Sequence, residues 1–103
     1  MTMYKKLASN ESLESKMRDA KVLLYFTASW CGPCQQLKPI LESLARDELV
    51  TVVEIDVDDH GDLAEEHKVE GIPLLKHVVD SGARVAWTSE GVVTREEILK
   101  HVS

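Results

Sequence analysis

Residues 22–34 have the sequence Val-Leu-Leu-Tyr-Phe-Thr-Ala-Ser-Trp-Cys-Gly-Pro-Cys. They open with a short, continuous apolar run of β-favouring residues, which predicts a strand buried on both faces. They end with two cysteines, after which apolar residues recur at helical spacing from Cys34 to Glu48. This segment therefore predicts a buried strand that leads into an amphipathic helix, with the cysteine pair at the junction.

The sequence on both sides of this segment continues the alternation of strands and helices. β-Favouring runs predict further strands at residues 4–7, 51–57, 74–79 and 84–88. Helical spacing and capping residues predict further helices at residues 10–20, at residues 62–67 and after Thr94. Strands joined through helices pair in parallel, whereas the turn at Asp80-Ser81-Gly82 predicts an antiparallel hairpin. We expect an α/β fold with a central mixed β-sheet, parallel in its first part and antiparallel at the C-terminal hairpin, and helices on both faces.

Size, composition and charge exclude several classes of protein. The chain of 103 residues fits one domain, 1–103, and its 44% hydrophobic content is enough for a core. The formal net charge of -6 argues against nucleic acid or anionic lipid as the main partner. Residues 1–10 do not resemble a secretory signal, and no apolar run approaches the roughly 18 residues that a membrane span needs. We expect a cytoplasmic protein and a monomer.

Cys31 and Cys34 are the only cysteines of the chain, and their spacing indicates chemistry rather than a structural staple. A bridge between them would close a very small loop and would remove little entropy from the unfolded chain. At the start of a helix the two residues share one face, so their sulfurs can meet. First-turn N–H groups lack helical partners and can stabilise a thiolate on Cys31. We predict that Cys31 attacks a disulfide and that Cys34, one turn deeper, resolves the intermediate.

The same cysteine spacing is also half of a zinc site, which needs two further ligands. The candidate ligands are four histidines: His60, His67, His77 and His101. None of them forms a pair at zinc-finger spacing, and the chain has no second C-x-x-C. We therefore expect no metal, and we keep zinc binding as the alternative interpretation.

Several motifs resemble the signature of the thioredoxin family. They are Ala28-Ser29-Trp30-Cys31-Gly32-Pro33-Cys34, then Pro39, Gly71-Ile72-Pro73 and Gly91. The resemblance covers nearly the whole chain and includes the predicted order of strands and helices. It implies a thioredoxin fold and a protein-disulfide reductase without a bound cofactor. It also implies electrons from a separate thioredoxin reductase and disulfide-containing proteins as substrates.

The resemblance also implies roles for residues around the cysteines. Gly32 and Pro33 are similar to the dipeptide of the reducing members of the family. Pro73 would follow a cis peptide bond and face the cysteines, which lets the Ile72 backbone pair with a substrate strand. Trp30 would cover the disulfide, and Gly91 would complete the docking groove. The implied substrate-binding residues are therefore Trp30, Ile72, Pro73 and Gly91.

Tyr25, Leu74 and Glu90 depart from the family pattern, and Glu54 stands next to the first of them. Tyr25 stands where most members carry a buried Asp, and a phenol is a poor base at neutral pH. Glu54 lies on the neighbouring predicted strand, and it is either a replacement proton carrier for Cys34 or a solvated strand residue. Glu90 precedes Gly91 and would bring negative charge close to the docking groove.

Two other functions remain open from the sequence. A thiol oxidase or isomerase would use the same cysteines, but the Gly-Pro dipeptide between them favours a reductase. A non-catalytic binding subunit would use the groove and not the cysteines, and the departures at Tyr25 and Glu90 leave that alternative in place.

Overall fold

A computed structural model describes residues 3–17 and 21–102 of the chain. Its regular elements alternate between strand and helix up to a final hairpin and helix. In chain order they are β1 (Tyr4–Lys6), β2 (Lys21–Thr27), α1 (Gly32–Arg46), β3 (Val52–Asp56), α2 (Gly61–Glu66), β4 (Leu74–Val79), β5 (Arg84–Glu90) and α3 (Arg95–Val102).

The five strands form one mixed sheet in the order β1-β3-β2-β4-β5. Strands β1 and β2 run parallel to β3, whereas β4 runs antiparallel to both β2 and β5. Strand β2 is central, and its Tyr25 lies opposite Glu54 on β3 and Leu75 on β4. The predicted mixed sheet, parallel first and antiparallel at the hairpin, is confirmed.

Each face of the sheet carries its own apolar core. On one face, Leu23 and Tyr25 of β2 pack with Leu37 and Leu41 of α1 and Ile98 of α3. The other core includes residues of α2 and of the segment before β2; its members include Leu13, Val22, Leu24, Phe26 and Leu63. Alternate residues of β2 therefore enter opposite cores, as the apolar run predicts.

The helix expected at residues 10–20 is not formed in its described part. The chain makes one 3-10 turn at Leu13–Ser15, and residues 18–20 lie outside the described residues. The Ser12 hydroxyl donates to the Glu14 carboxylate, and the Ser15 hydroxyl donates to the Ser12 carbonyl at 2.6 Å. Such local side-chain hydrogen bonds compete with a continuing helix. Leu13 is nevertheless buried, as the spacing of apolar residues predicts.

Helix α1 begins at the cysteines and ends earlier than the spacing of apolar residues indicates. Its last helical residue is Arg46, and Glu48 adopts a left-handed backbone with φ of 58°. The N–H groups of Glu48 and Leu49 donate to the carbonyls of Ala45 and Leu44, both at 3.0 Å. These two hydrogen bonds end the helix and satisfy two of its last carbonyl groups.

Lys76 and His77, two polar residues of β4, point to opposite faces of the sheet. Lys76 Nζ lies 3.1 Å from His67 Nδ1 and donates to the His67 carbonyl at 3.3 Å. It therefore supplies a hydrogen-bond donor to the backbone just after α2. His77 is only 3% exposed, and within the described residues neither of its ring nitrogens has a hydrogen-bond partner. In the described part of the chain, the His77 ring is therefore buried without a hydrogen bond to either nitrogen.

Burial lowers the pKa of His77 below its ordinary value, and nearby Lys21 acts in the same direction. The His101 backbone lies close enough to favour the charged ring, but not at hydrogen-bond geometry, so burial outweighs it. As the pH falls below about 6.5, His77 binds a proton in the unfolded chain but not in the folded protein. The free energy of unfolding therefore decreases as the pH falls.

We expect a His77→Leu variant to unfold with a free energy about 1 kcal/mol higher than wild type at pH 7.5. The variant should also lose less stability than wild type between pH 7.5 and pH 5.5, because its unfolded chain has one fewer histidine to protonate. Urea denaturation at the two pH values measures both effects. Parallel pH dependence in the two proteins would contradict this account of His77.

Candidate active site

Cys31 and Cys34 form a disulfide at the amino end of α1. Cys31 is the N-cap residue, with an extended backbone, and Pro33 occupies the first turn, where a missing N–H costs no helical bond. The Cys34 N–H donates to Cys31 Sγ at 3.2 Å. One of the first-turn donors that the helix leaves unpaired is thus directed at the outer sulfur.

The two sulfurs differ in depth. Cys31 keeps 5% of its surface exposed, whereas Cys34 has none. Cys31 Sγ also lies 3.9 Å from the Ile72 carbonyl oxygen, and the Ile72–Pro73 peptide bond is cis, as the resemblance implies. The outer sulfur therefore faces the loop before β4, and an incoming chain reaches Cys31 before it reaches Cys34.

A shallow apolar groove of about 450 Å³ lies beside the disulfide. Its lining residues are Trp30, Val57, Ala64, Val69, Glu70, Gly71 and Ile72. Trp30 is 69% exposed, and its Nε1 donates to Asp58 Oδ2 at 2.9 Å. The indole is therefore held at one wall of the groove by a carboxylate that sequence reasoning missed.

Gly91 lies next to the loop that contains the cis Ile72–Pro73 peptide bond. Its N–H donates to the Pro73 carbonyl at 2.8 Å, and its φ of 94° is a conformation that favours glycine. A Cβ built at this position would meet no atom within 4 Å. A side chain here would therefore project into open space next to the cis-proline loop.

Tyr25 lies beneath the inner cysteine. It is fully buried, and its hydroxyl donates to the Cys34 carbonyl at 2.6 Å. Burial, and secondarily the charge of Glu54, raises the pKa of Tyr25. The phenol is therefore neutral at physiological pH and acts as a hydrogen-bond donor, not as a base.

Glu54 is buried rather than solvated, so the solvated alternative is wrong. It is 5% exposed, accepts a hydrogen bond from the Tyr4 hydroxyl and lies 3.5 Å from Lys38 Nζ. Burial and this hydrogen bond raise the pKa of Tyr4. A neutral donor and a cation thus offset the cost of burying the carboxylate one strand away from Tyr25.

Sequence reasoning missed Tyr4, Lys38 and Asp58 as partners of the site. The available signals were indirect. Asp58 follows β3 closely, and the carboxyl ends of neighbouring parallel strands meet at one edge of a sheet, where β2 also delivers Trp30. Lys38 lies one helical turn after Cys34, on the same side of α1.

In residues 3–17 and 21–102, no three His, Cys, Asp or Glu side chains come together where they could hold a metal ion. In the same part of the chain, no helix has the length and apolarity needed to cross a lipid bilayer.

Replacing Tyr25 by Phe tests the contact beneath Cys34. The variant keeps the ring in the core but removes the hydroxyl, and we expect the oxidised protein to lose about 1 kcal/mol of unfolding free energy. Urea denaturation of both oxidised proteins measures the difference. A Tyr25→Phe variant as stable as wild type would show that this hydrogen bond contributes nothing to holding the first turn of α1.

The thioredoxin family model matches residues 4–103. Thioredoxin of Chlamydia pneumoniae is 42% identical over 99 residues, which cover 93% of this chain and 97% of that protein. Thioredoxin of Bacillus subtilis is 33% identical over 98 residues, covering 93% and 92%. A mutant thioredoxin from Halobacterium salinarum superposes with a TM-score of 0.85 at 29% identity, covering 96% of this chain and 87% of that one.

The family match spans almost the whole chain, and the fold agrees with the solved neighbours. The resemblance of the cysteine motif to the thioredoxin family is therefore confirmed over residues 4–103. Members of this family exchange electrons through the cysteine pair itself, and here that pair forms a disulfide at the start of α1. The chain belongs to the thioredoxin family and is a dithiol–disulfide oxidoreductase.

Proposed function

We propose that this chain reduces protein disulfides, with Cys31 as the nucleophile and Cys34 as the resolving cysteine. The observation that carries the assignment is the pairing of an outer sulfur, which accepts the Cys34 N–H, with a fully buried inner one. In the reduced protein, the Cys31 thiolate attacks one sulfur of a substrate disulfide. The substrate's other sulfur leaves as a thiolate and takes a proton.

The second step closes the cycle on the protein. The Cys34 thiol gives up its proton and attacks Cys31 Sγ, so that the Cys31–Cys34 disulfide forms and the second substrate sulfur leaves as a thiolate. Two electrons have then passed from the protein to the substrate, whose two sulfurs end as thiols. A separate thioredoxin reductase would return the electrons to the protein disulfide.

Ionisation of Cys31 contributes only part of the rate. Lowering a thiol pKa from 8.5 to 7 raises the thiolate fraction at pH 7 from about 3% to about half. Intrinsic nucleophilicity falls about fivefold over the same shift, so the net gain is roughly threefold. Most of the acceleration must come from holding the substrate disulfide against Cys31.

Four residues are proposed to hold the substrate: Trp30, Ile72, Pro73 and Gly91. In the described part of the chain, no group accepts a hydrogen bond from the Ile72 N–H. The Ile72 carbonyl faces Cys31 Sγ. An extended substrate segment can pair with this backbone in the manner of an added strand. Gly91 leaves room for that segment, and Trp30 bounds the groove that takes its side chain.

We propose that Tyr25 and Glu54 together take the place of the buried Asp that most family members carry beneath the second cysteine. Tyr25 fixes the backbone at Cys34, and Glu54 takes the Cys34 proton. Glu54 suits this role because it lies beside Tyr25 in the sheet. It also lines a cavity of about 180 Å³, which is large enough for water that would carry the proton onward. Gly32 and Pro33 would shape the exposed first turn of α1 between the cysteines.

We further propose that the protein works as a monomer in the cytoplasm, where thiols are kept reduced. Its partners would be disulfide-containing proteins and a thioredoxin reductase. A thiol oxidase or isomerase is disfavoured by the Gly-Pro dipeptide. A non-catalytic binding subunit would have no need for an outer sulfur held as a helix N-cap.

Insulin reduction tests the assignment of the cysteines. We expect wild type to catalyse it, Cys31→Ser to be inactive, and Cys34→Ser to accumulate a mixed disulfide with substrate, because only the second step is lost. Turbidity follows the reduction, and mass spectrometry under non-reducing conditions detects the trapped adduct. Reduction by Cys31→Ser at the wild-type rate would refute the mechanism.

Glu54→Gln tests the proton carrier. The amide keeps the size of the side chain but cannot take a proton, so we expect the decay of the mixed disulfide to slow at least tenfold at pH 7 while its formation is unchanged. Raising the pH should narrow the gap, since Cys34 then ionises unaided. Rapid-quench measurement of both steps from pH 6 to pH 9 provides the readout, and equal decay rates at every pH would exclude the role.

A further inference from the structure

Glu90, the last residue of β5, places its carboxylate over the loop before the cis-proline. A Cβ built on Gly71 would lie 2.9 Å from Glu90 Cδ and closer still to Oε1, so any side chain at position 71 would require the end of the Glu90 side chain to move. The Glu90 carboxylate therefore rests against the α-carbon of Gly71. Since Gly71 itself lines the apolar groove, the Glu90 carboxylate stands at the edge of that groove.

Two other carboxylates stand around the same groove. Glu70, which is exposed, is part of its lining, and Asp58, also exposed, holds Trp30 at the opposite wall. Among the described residues, no lysine or arginine belongs to the groove lining. The floor is formed by side chains such as Val57, Val69 and Ile72. The groove thus combines an apolar floor with an acidic rim.

We propose that this rim selects the substrate: the groove takes a segment in which lysine or arginine flanks the disulfide cysteine, next to an apolar side chain. The inference rests on the proposed function, because it names the substrate class for the same site. Two opposite charges about 4 Å apart in water change an equilibrium constant by roughly fivefold. A basic residue beside Glu90 therefore gains a measurable advantage, and an acidic one suffers a comparable penalty.

Glu90 is the member of the rim whose carboxylate lies against the loop before Pro73. The missing side chain at Gly71 leaves the space that the carboxylate fills. Glu90 also precedes Gly91, whose N–H donates a hydrogen bond to the Pro73 carbonyl. The Glu90 backbone is therefore held close to the loop that would contact the substrate. An influence of Glu90 on the Cys31 thiolate would act on all substrates alike, whereas selection by charge changes the ratio between substrates.

The test uses two disulfide peptides of identical length and sequence, except that lysine or glutamate flanks the cysteine. The ratio of kcat/KM for the lysine peptide to that for the glutamate peptide is the readout. We expect wild type to favour the lysine peptide by about fivefold or more at low ionic strength, and added salt to reduce the ratio. Glu90→Gln should lower the ratio by several-fold, and Glu90→Lys should bring it below one.

Asp80→Asn is the matched control. It removes the same unit of negative charge from an exposed residue at the opposite end of the β4–β5 hairpin, and Asp80 has a left-handed backbone that asparagine tolerates. Its ratio should equal that of wild type. A wild-type ratio near one, a Glu90→Gln ratio equal to wild type, or an equal drop in Asp80→Asn would overturn the proposal.

The same experiment separates this inference from the proposed function. Failure of the wild-type protein to reduce either peptide, or insulin, would overturn the reductase assignment and the substrate class with it. Reduction of both peptides at the same rate would overturn the substrate class alone, because the reductase activity would then be intact.

Discussion

The first turn of α1 is the constraint on which the redox site depends. Cys31 caps the helix in an extended conformation, and the Cys34 N–H, which has no carbonyl to bind within the helix, points at its sulfur. Pro33 stiffens this turn without sacrificing a helical bond. The rest of the molecule holds the turn in place: β2 supports it from within the sheet, and the cis-proline loop faces it from the side.

Support from within the sheet has an unusual chemical form in this chain. A neutral tyrosine, not a carboxylate, contacts the backbone of the buried cysteine, so no charge is buried directly beneath it. The buried carboxylate stands one strand away at Glu54, where Lys38 and Tyr4 offset its desolvation. In the proposed mechanism, Tyr25 positions the backbone at Cys34 and Glu54 takes the Cys34 proton.

Strand β2 shows how much follows from pattern alone. A continuous apolar run requires two cores, and a run of this kind just before a helix-starting cysteine pair indicates the strand-to-helix junction at which the site forms. The helix expected at residues 10–20 shows the limit of such reasoning. Leu13 is buried as its spacing indicates, but local serine bonds leave only one turn of 3-10 helix around it. Short-range competition between side chain and backbone is not visible in an apolar pattern.

The amino-acid sequence by itself determined the mixed α/β sheet, the cysteine pair at a helix start and, apart from the helix expected at residues 10–20, the order of the elements, because these depend on local periodicity, turn residues and capping. It also carried the family motifs from which the cis-proline loop was expected. Only the tertiary structure decided the partners of the site: Asp58 beside Trp30, Tyr4 and Lys38 beside Glu54, and Glu90 over Gly71. These contacts join residues that are distant in the chain, and no local rule specifies which side chain fills a space that another residue leaves open.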